Sequence, residues 1–212
     1  MAHNHEHAQE AHAPIEDHHD MTLYEKRAYA IESLLLEKGV LTADAIRQKL
    51  EEIDAVTPAL GARVVARAWV EAAFKARLLA NAKEAIVELG IDTDALTTLV
   101  AVENTKKVHN VVVCTLCSCY PRAILGLPPD WYKSLSYRSR VVIDPRGVLR
   151  EFGTELPADV EVRVYDSTAD MRYLVIPERP AGTEHLCEAE LAELVTRDSM
   201  IGVARARTPV AA

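Results

Sequence analysis

The chain has 212 residues, 49% of them hydrophobic and 26% charged, which suits one globular domain plus an extra arm and leaves little room for two. Its formal net charge of -8 argues against nucleic acid or an anionic membrane as the main partner. Apolar runs are only a few residues long, as at Val111-Val112-Val113, and the first twenty residues lack a signal-peptide core; the expected place is the cytoplasm, where thiols stay reduced.

Residues 1–20 are expected to be a disordered His-rich tail. His3, His5, His7, His12, His18 and His19 supply six of the 8 histidines, so the tail is either inert or a weak metal buffer. A helical arm is expected over residues 21–90. Thr22 and Glu25 form a capping box, followed by Ile31, Leu34 and Leu35 at helical spacing and a stop at Gly39. A second helix carries Ile46, Leu50 and Ile53. Thr57-Pro58 opens a third, and Val64, Val65, Ala68, Trp69, Ala72, Ala73 and Ala76 predict one long helix that breaks near Asn81. A further helix runs to Gly90. Trp69 reads as a core anchor.

Residues 91–212 are expected to form a mixed α/β domain. Val108–Val113 is a β-branched run that enters the cysteines as a strand. Tyr120-Pro121 and Leu127-Pro128-Pro129 mark loops. Tyr137–Ile143 and Pro145–Phe152 read as short helices that end at Gly153. Val160–Val164 alternates as a half-exposed strand, and Arg172–Ile176 is another; the two read as a hairpin with a longer loop. A last helix covers Glu188–Arg197. Helices first and mixed elements later predict an α+β fold.

Three of the 4 cysteines, Cys114, Cys117 and Cys119, fall within six residues. A disulfide framework suits neither the spacing nor the compartment. A redox C-x-x-C pair leaves the third cysteine without a role. Metal binding explains all three, and spacing alone favours zinc or an iron–sulfur cluster. Both want a fourth ligand, for which Cys187, His109 and His185 are available; Cys187 reads more simply as a small core residue. A Cys-Ser-Cys loop also offers the backbone nitrogens of Ser118 and Cys119. Such nitrogens must first lose a proton, which calls for a high-field ion such as Co(III) or Fe(III).

The segment Val113-Cys114-Thr115-Leu116-Cys117-Ser118-Cys119-Tyr120 resembles the metal-claw motif of the nitrile hydratase α subunit. The resemblance extends to Leu60-Gly61-Ala62, Ile124–Lys133, Tyr137–Val142, Arg179–Thr183 and Ser199–Val203, in order from about residue 22 onward. It implies a claw loop in the α/β domain, with Cys114, Cys117 and Cys119 as sulfur ligands and Ser118 and Cys119 as backbone-nitrogen ligands. It implies oxidation of Cys117 to a sulfinate and Cys119 to a sulfenate, and catalytic roles for Cys119 and Ser118. Thr115 and Tyr120 match the cobalt branch, implying low-spin Co(III) over Fe(III). Asp166, Asp170 and Arg172 belong to a segment expected to support the ligands, although Asp170 stands where relatives often have Glu. Arg122 is a second departure, standing where relatives commonly carry Trp.

The reaction implied is hydration of a small nitrile to an amide, by metal polarisation or activated water or by the Cys119 sulfenate oxygen. The partners implied are a β subunit, in an αβ heterodimer or an α2β2 dimer of heterodimers, and a cobalt-loading activator protein. A thiocyanate hydrolase cobalt subunit and a non-catalytic zinc or other metal-binding protein are the alternatives.

Overall fold

The computed structural model describes residues 20–93, 96–116 and 119–209. The His-rich tail, except Asp20, lies outside them, as do Cys117 and Ser118. The chain divides into two compact units, Met1–Lys49 and Leu50–Ala212.

In the first unit, helix α1 (Leu23–Glu37) starts at the expected capping box. The Thr22 amide donates to Glu25 Oε2 at 2.6 Å, and the Glu25 amide donates to Thr22 Oγ1 at 3.3 Å, which satisfies two amides that no helical carbonyl can reach. No residue of α1 is buried. Helix α2 (Ala43–Ala55) begins in this unit and ends in the next. Its first turn is capped by Thr42, whose hydroxyl accepts from the Ala45 amide at 3.1 Å.

The second unit opens with α3 (Pro58–Val70), α4 (Ala72–Ala80) and α5 (Ala82–Val87). The break expected at Asn81 is present, with its side chain capping α5. A second break, not expected, falls at Glu71, whose backbone is extended. Arg179 Nη1 donates to the Trp69 carbonyl at 3.2 Å, so an acceptor near the end of α3 is satisfied from outside the helix. The Trp69 indole donates to the Pro177 carbonyl at 2.8 Å. Trp69 is thus tied to the core at both backbone and ring, in keeping with an anchor.

Strand β1 (Thr98–Glu103) pairs in parallel with β4 (Met171–Ile176), and β2 (Val108–Val113) pairs in parallel with β3 (Glu161–Asp166). The expected β3–β4 hairpin is therefore corrected. The turn between them does close, with the Thr168 amide on the Met171 carbonyl at 3.0 Å. Its strands diverge because each already has a parallel partner from earlier in the chain. Strand β1 was missed altogether: TLVAVE is short, and its pairing partner lies over seventy residues away.

Short helices α6 (Arg122–Leu125) and α7 (Asp130–Lys133) lead to α8 (Leu135–Ile143) and α9 (Pro145–Glu151), the last two much as expected. The expected final helix is two, α10 (Glu188–Glu193) and α11 (Arg197–Ile201). Thr196 starts the second, accepting from the Ser199 amide at 3.1 Å, while the Leu194 carbonyl is taken by the Arg207 amide at 2.8 Å.

Val64 and Val65 of α3, Phe74 and Leu78 of α4, and Ile86 of α5 are buried in one cluster with Val111, Val113, Leu174, Ile176 and Met200. Each such aliphatic or aromatic side chain contributes about 1.5–3 kcal/mol when fully buried. Gly202 fits one tight crossing: its φ is +92°, and a Cβ there would lie 1.9 Å from the Asn110 carbonyl oxygen of β2. The described residues form the expected α+β fold of helices and small parallel sheets. No described helix is long and apolar enough to cross a membrane.

Candidate metal centre

Strands β2 and β3 end together, with Val113 paired to Asp166 in register. The Ser167 amide donates to the Val113 carbonyl at 2.7 Å, so the ladder runs to the very edge of the cysteine loop. Cys114 comes next and is fully buried. From the neighbouring strand end, the Asp166 carboxylate reaches Thr115. It accepts from the Thr115 amide at 2.9 Å and from the Thr115 hydroxyl at 2.5 Å. From the other side, Arg138 Nη2 donates to the Thr115 carbonyl at 2.8 Å. The amide, hydroxyl and carbonyl of Thr115 are all engaged.

The far end of the loop is held from behind. Pro128-Pro129 start α7 at Asp130, and Ser134 caps α8 by accepting from the Tyr137 amide at 3.1 Å. This places two tyrosines beneath the loop. Tyr132 Oη donates to the Cys119 carbonyl at 2.9 Å, and Tyr137 Oη donates to the Val112 carbonyl at 2.7 Å. Edge-on ring contacts fix these side chains: Tyr120 to Tyr132 at 5.2 Å, Trp131 to Tyr137 at 4.9 Å and Trp131 to Phe152 at 4.7 Å. Burial pushes the hydroxyls of Tyr120, Tyr132 and Tyr137 above the ordinary phenol value. They stay neutral, so Tyr132 and Tyr137 keep the proton that each donates.

The residues singled out from sequence separate into two groups. Cys114, Thr115, Cys119, Tyr120 and Asp166 come together around the loop. Asp170 is exposed, and its carbonyl accepts from the Thr98 amide at 3.0 Å. Arg172 binds back to the β3–β4 turn, on the carbonyls of Thr168, Ala169 (3.0 Å) and Met171 (3.2 Å). Cys117 and Ser118 lie outside the described residues. Sequence reasoning gave no role to Tyr132, Tyr137 or Arg138. Only their place in segments shared with the family pointed to them, because their contacts on the strand and loop span 13 to 25 residues.

The sulfur donors suit a thiophilic ion: Cys114 is buried at a strand end and Cys119 is half-buried on a fastened loop. The other candidate ligands fare differently. His109 is buried with both ring nitrogens engaged, Nε2 with the Gly202 carbonyl at 2.7 Å and Nδ1 with Asn104 Nδ2 at 3.3 Å. Since a carbonyl only accepts, Nε2 carries the proton, and since the Asn104 amide nitrogen only donates, Nδ1 accepts from it, so the ring is neutral; burial also lowers its pKa. Cys187, expected to be a small core residue, is instead exposed at the N-cap of α10, where its amide donates to Glu190 Oε2 at 2.8 Å. A short polar-capped helix start is open to solvent, which outweighs the usual tendency of cysteine to be buried. His185 is exposed.

With two parallel strand ends feeding a cysteine loop braced by buried tyrosines, comparison with known proteins is specific. The chain belongs to the nitrile hydratase alpha chain family, whose model matches residues 22–204. It is 53% identical over 184 residues to the low-molecular weight cobalt-containing nitrile hydratase subunit alpha of Rhodococcus rhodochrous, covering 86% of this chain and 89% of that one. It is 42% identical over 186 residues to the thiocyanate hydrolase subunit gamma of Thiobacillus thioparus, covering 82% and 76%. Among solved structures it resembles a double mutant of the Fe-type nitrile hydratase from Comamonas testosteroni Ni1. That match has a TM-score of 0.82 at 43% identity and covers 92% of this chain and 95% of that one.

Proposed function

We propose that this chain is the metal-carrying α subunit of a nitrile hydratase, a hydro-lyase that turns small nitriles into amides. The observation that carries the reading is the braced loop, with Thr115 held by Asp166 and Arg138 and Cys119 held by Tyr132. In this reading the ligands are the sulfurs of Cys114, Cys117 and Cys119 and the backbone nitrogens of Ser118 and Cys119. The ion is low-spin Co(III), supported by Thr115, Tyr120 and the cobalt-containing relative; Fe(III) is the less favoured ion, kept in view by the Fe-type structural neighbour. Cys117 is carried as the sulfinate and Cys119 as the sulfenate.

When bound, the ion supplies Lewis-acid polarisation to the nitrile. The chain's residues supply position. Cys114, fully buried, serves as a ligand alone. Cys119, half-buried, is the sulfur that faces the reaction, next to Ser118. Asp166 and Arg138 fix the start of the loop, and Tyr132 fixes the carbonyl of the reacting cysteine. Such pre-orientation removes the cost of arranging ligands during turnover.

The reading requires a β subunit, in an αβ heterodimer or α2β2. Helix α1 supports this: Leu23, Tyr24, Ile31 and Leu34 share one side of the helix at its 3.6-residue turn and are all exposed, an apolar face that suits a partner. A cobalt-loading activator protein and a cytoplasmic location complete the proposal. Within the helical arm of residues 21–90, residues 21–49 are assigned to the partner.

The test uses the cobalt-loaded complex with its β subunit. Expected are stoichiometric cobalt, an intact α mass carrying the oxygens of one sulfinate and one sulfenate, and turnover of acetonitrile or acrylonitrile. Stoichiometric zinc with unmodified cysteines would overturn the enzyme reading. Faster turnover of thiocyanate than of either nitrile would favour the second reading, thiocyanate hydrolysis, which the likeness to the gamma subunit supports.

A further inference from the structure

Strands β2 and β3 carry their pairing one step past the last ladder position. Val113 faces Asp166 in register, and the Ser167 amide donates to the Val113 carbonyl at 2.7 Å. In a parallel pair that bond sets Ser167 directly beside Cys114. Side chains alternate along each strand, so those of Cys114 and Ser167 fall on one face, from strands about 4.8 Å apart. Both are sealed from water: Cys114 is 0% exposed and Ser167 1%.

Among the described residues, the Ser167 hydroxyl has no hydrogen-bond partner. It lies near enough to the Tyr132 hydroxyl to oppose the rise that burial gives that phenol, without a bond of good geometry between them. The Tyr132 proton goes instead to the Cys119 carbonyl at 2.9 Å. A buried hydroxyl left unpaired costs stability, and an acceptor that arises only with the ion accounts for it. The sulfur of Cys114 is such an acceptor. A thiol sulfur accepts weakly, whereas a thiolate held by an ion is charged, and hydrogen bonds to charged acceptors are the strong ones.

We propose that Ser167 is a positioning residue of the metal centre, whose hydroxyl donates to the Cys114 sulfur once that sulfur is held by the ion. This role rests on the nitrile-hydrating reading, in which Cys114 is a ligand. A bond of this kind draws electron density off the sulfur. The sulfur then gives less to the ion, which is left a stronger Lewis acid toward the nitrile.

The experiment uses the complex with its β subunit, made with and without cobalt, carrying Ser167→Ala, Ser167→Thr or Cys114→Ala. With cobalt, the sulfur-to-metal charge-transfer absorption should move to longer wavelength in Ser167→Ala, because a sulfur without the donor holds its electrons less tightly. Its kcat on acrylonitrile should fall about tenfold, the small end of what partners of metal ligands are worth, with KM little changed. Ser167→Thr, which keeps the hydroxyl, should bring band and kcat back toward wild type. Without cobalt, Ser167→Ala should unfold at or above the wild-type midpoint, since it removes an unpaired group. A lower midpoint there means that the fold already satisfies the hydroxyl, and overturns the proposal. An unmoved band in cobalt-loaded Ser167→Ala, while Cys114→Ala loses its cobalt, overturns the role of Ser167 alone. Full cobalt in Cys114→Ala overturns the ligand reading, and this inference with it.

Discussion

Asp166 accepts both the amide and the hydroxyl hydrogen of Thr115, at 2.9 and 2.5 Å, across the open end of the β2–β3 pair. Two bonds to one residue fix its backbone and its rotamer together. The register makes this possible, since Asp166 faces Val113 and its side chain reaches two residues past the last ladder position.

Replacing Asp166 by Ala should loosen the loop more than the fold. Asp166 is exposed and Thr115 half-buried, so the stability loss should be about 1 kcal/mol, below the roughly 1.5–3 kcal/mol of bonds to charged groups shielded from water. Cobalt content and activity should fall much further. Thr115→Val, which keeps the shape and loses only the hydroxyl, should show a smaller drop. Metal analysis of both purified complexes checks this; full cobalt in Asp166→Ala would count against the brace.

Tyr132→Phe removes one hydroxyl from a fully buried ring. The donor to the Cys119 carbonyl is lost, at a cost of about 1–2 kcal/mol. Ring packing against Tyr120 is retained, so the protein should fold. The expected result is lower kcat with KM little changed, because under the proposed function the bond positions the reacting cysteine rather than the substrate. Steady-state kinetics on acrylonitrile would show it.

His109 gives the fold a pH dependence of known sign. Burial holds its pKa below the ordinary 6.5. Below pH 6.5 the unfolded chain takes up a proton that the folded one refuses, so stability is fully present above that value and is lost as pH falls through it. The groups facing the ring are Asn104, the Gly202 carbonyl and Arg205, and none is an acid that could reverse the sign. Denaturation between pH 5 and 8 should show this slope, and His109→Gln should flatten it.

Two glycines offer a matched comparison. Gly153 has φ +79° with open space around it, whereas Gly202 has φ +92° and the Asn110 carbonyl 1.9 Å from where a Cβ would sit. Gly153→Ala should cost about 1–2 kcal/mol, from backbone conformation alone. Gly202→Ala should cost more than about 4 kcal/mol, or abolish folding, since β2 must move. Soluble yield and unfolding midpoints of the two variants decide it.

Features governed by near neighbours were legible in the sequence. The Thr22 and Glu25 box, the β-branched run of β2, the proline-started α9 and the clustered cysteines each declare themselves within a few residues. Asp166 was found through its segment, yet its partner Thr115 could not be read from spacing. Pairings between distant strands were not legible, which is why β1 was missed and β3 and β4 were read as a hairpin. At the helix break by Glu71, the Trp69 carbonyl is taken by Arg179, over a hundred residues away. Arg138 and Tyr132 look like ordinary helix residues until folding carries them under the loop. Cys187 was misplaced because composition says that cysteines are buried, while its position at a helix start says otherwise.

The braces on the cysteine loop also impose an order in time. Cys114 and Cys119 are synthesised well before Arg138, and Asp166 follows some fifty residues after Thr115. A nascent chain that has just exposed its cysteines has thiols without a mould. Only when β3 has emerged and docked on β2 does the loop acquire its shape. The brace therefore exists only once Asp166 has emerged and β3 has paired with β2, and a ribosome-stalled fragment ending before Asp166 should bind thiophilic ions loosely and without selectivity.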